Sequence, residues 1–539
     1  ISEHGQELLL LTFREDEYSF IQSSLKDDKS MMLLGRSGTG KTTCALYRIW
    51  FQYQAYWEKN IPEQPTFPGT LSNPNNYSHL HQIFVTANPV LCSEVRKIFR
   101  SMQDGNLNNL SFPLNFEEKT KYPASLFPEI DYRHFPMFLT SRQWMLMIDG
   151  TLREPFFPRN EDRTLVDSHF ELYQNDESKS ILTSLDLQES LQQLRYDEIN
   201  RNTNDEYVPM IEVDYEYFAS IIWPHIKPSE YDYHPSLIFT EIFSFIKGSI
   251  ESLQNPSGYL TLDEYKSFGR KRAHTFTDDE RETVYKIFEQ YEIYKQRQRF
   301  KVHLFDWMDV INHCYKQLTK YPYEGIPIHF AVHDEVQDAT QAELSLYMLI
   351  ANSNNLLFTG DTCQTIARGV GFRFSDLRSL FHYKHEIDSN VIVPPVNHLI
   401  RNYRSHSGIT NMAGSIVELM KYFSPTSFDS ELPRDQGILE GNKPLLLLSP
   451  SLQNLYYLLF GESSNDVIEF GADQVVIVMN QKSKEKLPEL LRKEALCLTV
   501  FESKGLEFND VLLYDFFTDS NSTSGWRAIQ LYQDQYKPS

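Results

Sequence analysis

Short apolar runs alternate with longer stretches of helical pattern in two parts of the chain, and this alternation is the clearest pattern in the sequence. In the first part the apolar runs are residues 31–34, 82–87, 329–334 and 355–360. In the second part they are residues 444–448, 474–480, 496–501 and 510–516. Such runs, bounded by Gly, Asn or Asp, are typical of buried parallel strands. The pattern therefore predicts an α/β fold with two parallel-sheet domains.

The alternation is lost between residues 100 and 330, which are rich in aromatic residues, proline and acidic residues and become helical from about 278 to 318. We therefore predict a largely helical, acidic insertion within the first domain. Pro394 and Pro395 indicate a hinge before the second domain. The predicted domains are residues 1–115 with 301–390 for the first, 116–300 for the insertion, and 391–539 for the second, which we expect to be truncated at its C-terminus.

The composition is that of a globular protein, with 41% hydrophobic and 23% charged residues, so a general lack of folded structure is excluded. The five cysteines lie far apart, which excludes a disulfide framework or a CxxC-type zinc cluster and favours a reducing, intracellular compartment. Nucleus and cytoplasm both stay open. No apolar run approaches the roughly 18 residues of a membrane-spanning helix, so no membrane partner is expected.

The net charge of −22 argues against a protein that coats nucleic acid by bulk electrostatic attraction. Residues 161–217 hold 15 acidic and four basic residues, and their local net charge of −11 is half of the total. A local basic groove elsewhere is therefore compatible with the total. The acidic insertion is a candidate surface for a protein partner.

A glycine-rich segment, GRSGTGKTT at residues 35–43, lies between a predicted strand and a predicted helix. Its glycines let the backbone wrap around a phosphate, and N–H groups at the helix start point towards the anion. Lys41 would reach the β- and γ-phosphates, and the Thr42 hydroxyl would coordinate Mg²⁺. A chance glycine-rich turn is the alternative. The predicted nucleotide-binding residues here are Gly35, Arg36, Ser37, Gly38, Thr39, Gly40, Lys41, Thr42 and Thr43.

Two adjacent carboxylates, Asp334 and Glu335, follow the apolar run 329–334. Asp334 is suited to a magnesium ligand, and Glu335 is suited to deprotonating an attacking water. Alone, such a pair more often lies near a helix N-terminus. In a chain that also has a phosphate loop, the pair predicts ATP hydrolysis with Mg²⁺.

These two segments and four others resemble the motifs of UvrD/Rep-type superfamily 1 helicases. They occur along the chain in the same order as in that family. DEVQD resembles the DExQD signature of that family, and NYRSH at 402–406 is similar to its NYRS segment. The other similar segments are VTANPVLCSEVRKIF at 85–99, FTGDTCQTI at 358–366 and the KGLEF segment within 499–517. Together the motifs extend over nearly the whole chain.

The resemblance implies two RecA-like domains of a P-loop NTPase, and an ATP-driven motor that moves 3′ to 5′ on single-stranded DNA or RNA. It implies Gln364 as the sensor of the γ-phosphate and Arg404, on the second domain, as an arginine finger. An ordinary surface ion pair is the alternative for Arg404. Tyr403 is implied as the residue that stacks on adenine, and Glu507 as a ligand of the nucleotide ribose.

One branch of the family is still more similar. GRSGTGKTTC, VTANPVLCSEV, GVGFRFSDLRSLF and FESKGLEFNDVLLY resemble the UvrD-like domain of large TPR and ankyrin repeat-containing proteins. Neither repeat is found in this sequence, so we expect a fragment of a longer protein.

Candidate contacts with nucleic acid come from three segments. Thr86 and Asn88 lie in the segment that resembles the first strand-contacting motif. Phe372 and Phe374 are candidate stacking platforms, with packing in the core as the alternative. Arg270, Lys271 and Arg272 are candidate phosphate ligands, with a solvated basic turn as the alternative.

Three departures from the family pattern bear on activity. Glu15 stands where the family has a glutamine that reads adenine, and no second arginine-finger segment follows residue 517. Only residues 407–495 are available for an accessory domain, so we expect weak or absent unwinding. An ATP-gated protein-interaction module is therefore the second hypothesis, and an NTPase without a polymer partner is the third.

Overall fold

The computed structural model shows two compact units, Ile1–Lys443 and Pro444–Ser539. The residues that it describes are 29–59, 80–106, 122–127, 130, 134–166, 210–228, 233–272, 276–298, 302–364, 373–423, 433–447, 474–500, 502–503, 506–516, 518–519 and 527. Within these ranges, no helix combines the length and apolar character needed to span a membrane.

The first unit is built around a six-stranded sheet in which every pairing is parallel. Its strands are β1 (Met31–Gly35), β2 (Gln82–Thr86), β3 (Met137–Thr140), β6 (Phe330–Asp334), β7 (Leu356–Gly360) and β8 (Val396–Leu399), in the order β3-β2-β6-β7-β1-β8. A separate two-stranded parallel pair consists of β4 (Met210–Glu212) and β5 (His303–Phe305). Because the sheet strands are parallel, all their carboxyl ends lie at one edge.

Both faces of this sheet are covered, which explains why its strands are nearly continuous apolar runs. Successive residues point to opposite faces. Leu33 therefore packs in a cluster with helices α1 (Lys41–Lys59) and α2 (Pro89–Asn106), whereas Leu34 packs in a larger cluster with α3 (Ser141–Thr151) and the helical region.

The helical region of the first unit follows β4 and continues to residue 320. Its α-helices are α4 (Tyr215–Tyr217), α5 (Trp223–Ile226), α6 (Pro235–Thr240), α7 (Ile250–Gln254), α8 (Leu262–Arg272), α9 (Asp278–Gln298) and α10 (Trp307–Lys320). Phe218–Ile222 and Glu241–Ile246 are π-helical. The later helices of the unit are α11 (Gln341–Ser345), α12 (Tyr347–Ile350), α13 (Phe374–Ile387) and α14 (Ser407–Phe423), with 3₁₀ turns at Val336–Asp338 and Thr362–Gln364. A short parallel pair joins β9 (Arg401–Asn402) and β10 (Gln436–Gly437).

The second unit contains a three-stranded parallel sheet in the order β12-β11-β13. Its strands are β11 (Gln474–Val478), β12 (Cys497–Thr499) and β13 (Asp510–Leu513). The described part of this unit also contains the helices α15 (Gln481–Glu485) and α16 (Glu489–Glu494). The predicted α/β class with parallel sheets is therefore confirmed.

The domain boundaries differ from those expected from the sequence. Strand β8 pairs with β1, and the Met32 N–H donates a hydrogen bond to the Pro395 carbonyl, so the first unit continues past residue 390 to Lys443. The two prolines thus lead directly into a strand of the first sheet. Strand β3 also belongs to this sheet, although it falls within the predicted insertion 116–300.

Two further expectations from the sequence are affected. Residues 444–447, at the start of a predicted strand, are not in a strand. Most of the acidic stretch, residues 167–209, lies outside the described residues.

A cluster of five charged side chains stabilises the helical region. The ammonium groups of Lys247 and Lys295, whose side chains are 3% and 5% exposed, each contact Glu292, Asp306 and Asp309 within 3.1 Å. Burial alone would lower the pKa of Lys247, but the three carboxylates raise it well above its ordinary value. The cluster joins the end of a π-helix to α9 and to the first turn of α10.

Replacing Lys247 with methionine should destabilise the protein strongly. The substitution leaves three carboxylates with only Lys295 in the protein interior, and removal of one partner of a buried ion pair costs about 3–5 kcal/mol. The measurement is the free energy of unfolding by urea. The matched control is Lys286→Met, which removes an exposed ion pair with Glu282 and should change little. Equal stability of the two variants would contradict a stabilising role for the cluster.

Candidate nucleotide and metal site

The predicted phosphate loop, residues 35–43, joins β1 to α1 through two glycines in the left-handed region. Gly38 and Gly40 have φ angles of 80° and 87°. A Cβ atom on Gly38 would lie 2.6 Å from the Arg404 Cβ and 2.7 Å from the Asn402 Oδ1. The loop therefore needs glycine at this position both for its backbone angles and for its close approach to residues 402–404.

The ammonium group of Lys41 faces the loop that precedes it. Its Nζ donates to the Arg36 carbonyl at 3.2 Å, and the Thr39 hydroxyl donates to the same carbonyl at 2.7 Å. Lys41 is buried, and it follows the loop as the first residue of α1. A phosphate in the loop would offer this ammonium group a charged partner in place of a neutral carbonyl.

Asp334 is the last residue of β6 and is 0% exposed. Its Oδ2 accepts a hydrogen bond from the Thr42 hydroxyl at 2.6 Å, and its Oδ1 accepts from the Thr359 hydroxyl and from the Glu335 N–H. Burial, helped by the charge of Glu335, raises the pKa of Asp334 to about 6. The hydroxyl hydrogen bonds and Lys41 limit this rise.

The oxygen atoms around Asp334 fit a magnesium ion. Mg²⁺ prefers hard oxygen ligands and is usually held by one or two carboxylates together with water and phosphate. Asp334 and Thr42 supply a carboxylate and a hydroxyl 2.6 Å apart. The neighbouring Thr86 hydroxyl is buried and has no hydrogen-bond partner among the described residues, so a polar group is available for a ligand that enters this place.

Glu335 lies just beyond the strand, with left-handed backbone angles of φ 59° and ψ 43°. Its carboxylate accepts a hydrogen bond from the Gln337 amide. The same amide accepts from the Asp361 N–H at 2.9 Å through Oε1. Gln337 therefore connects Glu335 to the end of β7. A non-glycine residue in this conformation costs of order 1–3 kcal/mol and is held in place by such surrounding contacts.

Gln364 lies in the 3₁₀ turn that follows β7. Its amide donates to the Asp361 Oδ2 at 2.7 Å, and the Arg36 Nε lies 3.5 Å from the same oxygen. Asp361 thus connects the phosphate loop, through Arg36, with the predicted phosphate sensor.

Arg404 is in direct contact with the phosphate loop. Its Nη1 donates to the Ser37 hydroxyl at 2.8 Å, and the Asn402 amide donates to the Ser37 carbonyl at 2.7 Å. The Tyr403 N–H donates to the Gly38 carbonyl at 2.9 Å. The sequence placed Arg404 on the second domain, but the structure places it in the same compact unit as the loop.

Several predicted residues lie elsewhere or have other roles in the structure. Glu507 belongs to the second unit and is exposed. Phe374 is 2% exposed in the main core at the start of α13, so it is packed rather than available for stacking. Asn88 caps α2, because its Oδ1 accepts hydrogen bonds from the Val90 and Leu91 N–H groups.

The remaining candidates for nucleic-acid contact are placed as follows. Thr86 is buried at the end of β2, so nucleic acid cannot contact its side chain in this structure. Arg270, Lys271 and Arg272 form the last turn of α8, and their side chains lie outside the described part of the structure. Phe372 also lies outside the described residues.

Three residues that connect the site were not singled out from the sequence. They are Gln337, Asp361 and Asn402, and each lies inside a motif whose neighbouring residues were assigned roles. Buried polar side chains are hydrogen-bonded in nearly all cases, so a polar residue beside a predicted catalytic group indicates an orienting contact.

Asp334→Asn should make the free protein more stable at pH 7. Because its pKa is raised to about 6 from an ordinary 3.8, the ionised carboxylate destabilises the folded state by about 3 kcal/mol. The gain should be nearly complete at pH 7 and should disappear as the pH falls below the ordinary pKa of 3.8, because the wild-type carboxyl group then becomes protonated in both states. Paired thermal unfolding of the two proteins across this range measures the effect. Lower stability of the variant at pH 7 would contradict the account.

Comparison with known proteins supports the same family as the motifs. Residues 159–388 match the UvrD/REP helicase N-terminal domain, a range that contains Asp334, Glu335 and Gln364 and begins after the phosphate loop. The chain is 37% identical over 604 aligned positions to TPR and ankyrin repeat-containing protein 1 of Homo sapiens, an alignment that covers 96% of this chain. The chain spans about a fifth of the length of that relative. The expected resemblance is therefore confirmed: residues 159–388 match the UvrD/REP helicase N-terminal domain, and the chain is similar to TPR and ankyrin repeat-containing protein 1.

Proposed function

We propose that the protein is an ATP-dependent motor of the UvrD type that hydrolyses ATP with Mg²⁺ and acts on single-stranded nucleic acid. The observation that carries this proposal is the convergence of six predicted residues in one compact unit, around a phosphate loop and the carboxyl edge of one sheet. They are Lys41, Thr42, Asp334, Glu335, Gln364 and Arg404.

Binding and activation would be divided between two groups of side chains. The loop and Lys41 would hold the phosphates, while Thr42 and Asp334 would hold the metal. Bound Mg²⁺ would neutralise charge on the β- and γ-phosphates. The Glu335 carboxylate accepts a proton from the attacking water, and Gln337 holds that carboxylate in a fixed orientation.

Two further side chains would respond to the γ-phosphate. Gln364 carries an amide that can hydrogen-bond to it, and Asp361 orients that amide. Arg404 can exchange its hydrogen bond with Ser37 for one with the transferred phosphoryl group, where a positioned arginine contributes about 10³–10⁵ in rate. Both side chains would therefore transmit the presence or loss of the γ-phosphate to the segments that carry them, the turn after β7 and the segment after β9.

The coupling of ATP hydrolysis to movement along a nucleic-acid strand is inferred from the similarity to UvrD-type helicases. We infer that the two parallel-sheet units are the two RecA-like domains of such a motor, with a helical insertion in the first. By analogy the motor moves 3′ to 5′ on DNA or RNA. Closing and opening of domains with each ATP cycle is how motors of this kind advance.

A second candidate function is an ATP-gated protein-interaction module. The net charge of −22 and the pI of about 5.2 favour a partner that is not nucleic acid. The relative is named for its TPR and ankyrin repeats, and repeats of this kind form extended binding surfaces. In this alternative, ATP binding changes the conformation and a protein partner detects the change.

Steady-state ATP hydrolysis with Mg²⁺, measured with poly(dT), with poly(U) and without a strand, tests the proposal. A motor should hydrolyse ATP several-fold faster when it is bound to one of these strands. Tight ATP binding with hydrolysis that no strand changes would favour the interaction module and contradict the motor. Absence of ATP binding would contradict both functions.

Glu335→Gln should retain ATP binding and lower turnover by about 10²–10⁴-fold, because the amide cannot accept the proton of the attacking water. ATP affinity and the single-turnover rate measure the two effects separately. Glu282→Gln, on the exposed face of α9, is the matched control and should hydrolyse ATP like the wild type. Unchanged turnover in Glu335→Gln would remove Glu335 from the mechanism.

A further inference from the structure

Thr86 is the last residue of β2 and the register partner of Asp334 on the adjacent strand β6. Paired residues of neighbouring parallel strands point to the same face of a sheet, so the two side chains lie side by side. Thr359, at the end of β7 on the other side of β6, donates a hydrogen bond to Asp334. Threonines therefore flank the carboxylate on both neighbouring strands.

The two flanking threonines differ in how their hydroxyl groups are used. The hydroxyl of Thr359 donates a hydrogen bond to Asp334, and so does the hydroxyl of Thr42 at the start of α1. Within the described part of the structure, the hydroxyl of Thr86 has no hydrogen-bond partner, although the residue is 0% exposed. A buried hydroxyl without a partner costs about 1–3 kcal/mol. This cost is removed if a polar group that enters the site with its ligand bonds to the hydroxyl.

We propose that the Thr86 hydroxyl holds a water molecule of the hydration shell of the Mg²⁺ that Thr42 and Asp334 bind. This inference rests on the proposed function, because it requires the magnesium nucleotide site. Mg²⁺ dehydrates reluctantly and keeps several of its waters in protein sites, and those waters need acceptors. A threonine hydroxyl can accept one of their hydrogen bonds.

The role is one of positioning, since Thr86 acts on the metal through a water. Partners in this outer shell typically contribute 10–100-fold to metal affinity. The sequence assigned Thr86 to contact with nucleic acid, but a residue buried beneath the surface cannot be reached by a strand unless the site rearranges. The burial of Thr86 and the missing hydrogen bond together favour a role at the metal site over a contact with nucleic acid.

Thr86→Val, which keeps the shape of the side chain and removes its hydroxyl, tests the proposal, with Thr86→Ser as the matched control. The measurement is the affinity for a fluorescent ADP, first in EDTA and then in a titration with Mg²⁺. For the valine variant, the Mg²⁺ concentration that gives half of the change in ADP affinity should be about 10-fold higher than for the wild type. Its ADP affinity in EDTA should be unchanged. The serine variant should behave like the wild type, because it retains the hydroxyl. Titration with Mn²⁺ followed by electron paramagnetic resonance should also show weaker metal binding in the valine variant than in the wild type and the serine variant.

Three results would overturn the inference. The valine variant could show the wild-type dependence on Mg²⁺, or it could lose the same affinity in EDTA as in Mg²⁺, which would mean a packing role. It could instead lose affinity for poly(dT) or poly(U) in the absence of nucleotide, which would mean a strand contact. A wild-type protein that binds ADP without any effect of Mg²⁺ would contradict the proposed magnesium site itself, before any variant is compared.

Discussion

The site depends on one buried carboxylate whose hydrogen-bond donors are hydroxyls and a backbone N–H. Asp334 has no exposure to solvent, and its donors come from Thr42, Thr359 and the Glu335 N–H. These donors connect the start of α1, the end of β7 and the end of β6. Satisfying this one side chain therefore fixes the phosphate loop against the sheet edge.

Comparison with Asp306 shows what the site lacks. Asp306 is equally buried, but two lysine ammonium groups contact it, and they hold its pKa well below the ordinary range despite its burial. Asp334 has a pKa raised to about 6, and the ammonium of the nearby Lys41 hydrogen-bonds to the Arg36 carbonyl. The cluster around Asp306 is complete and stabilises the helical region. The surroundings of Asp334 are instead those of a carboxylate that a cation would stabilise, which is the physical basis for the proposed magnesium site.

The sequence predicted the components of the site better than their connections. The spacing of glycines, Lys41 and Thr42 is sufficient to predict a phosphate loop, and an apolar run that ends in two carboxylates predicts the end of a strand. By contrast, the pairing of β8 with β1 depends on contacts between residues more than 360 positions apart, and the two prolines before it resemble a hinge. The lysine cluster likewise joins residues as far as 62 positions apart, which no local pattern reveals.

The individual side chains show the same limit. A phenylalanine that follows a motif can be a stacking platform or part of the core, and only the burial of Phe374 distinguishes the two. The contact of Arg404 with Ser37 depends on how the chain returns to the loop after β8, which the motif does not encode. No sequence pattern identifies Gln337, because its role comes from its two hydrogen-bond partners rather than from its own chemistry.

The most direct test of the account is an experimental structure of the protein with Mg²⁺, ADP and beryllium fluoride, which mimics the γ-phosphate. We expect Lys41 to exchange the Arg36 carbonyl for phosphate oxygens and Arg404 to exchange Ser37 for the γ-phosphate mimic. The metal should lie beside Thr42 and Asp334. Nucleotide bound away from the loop, or bound in the loop with the metal apart from Asp334, would contradict the central claim.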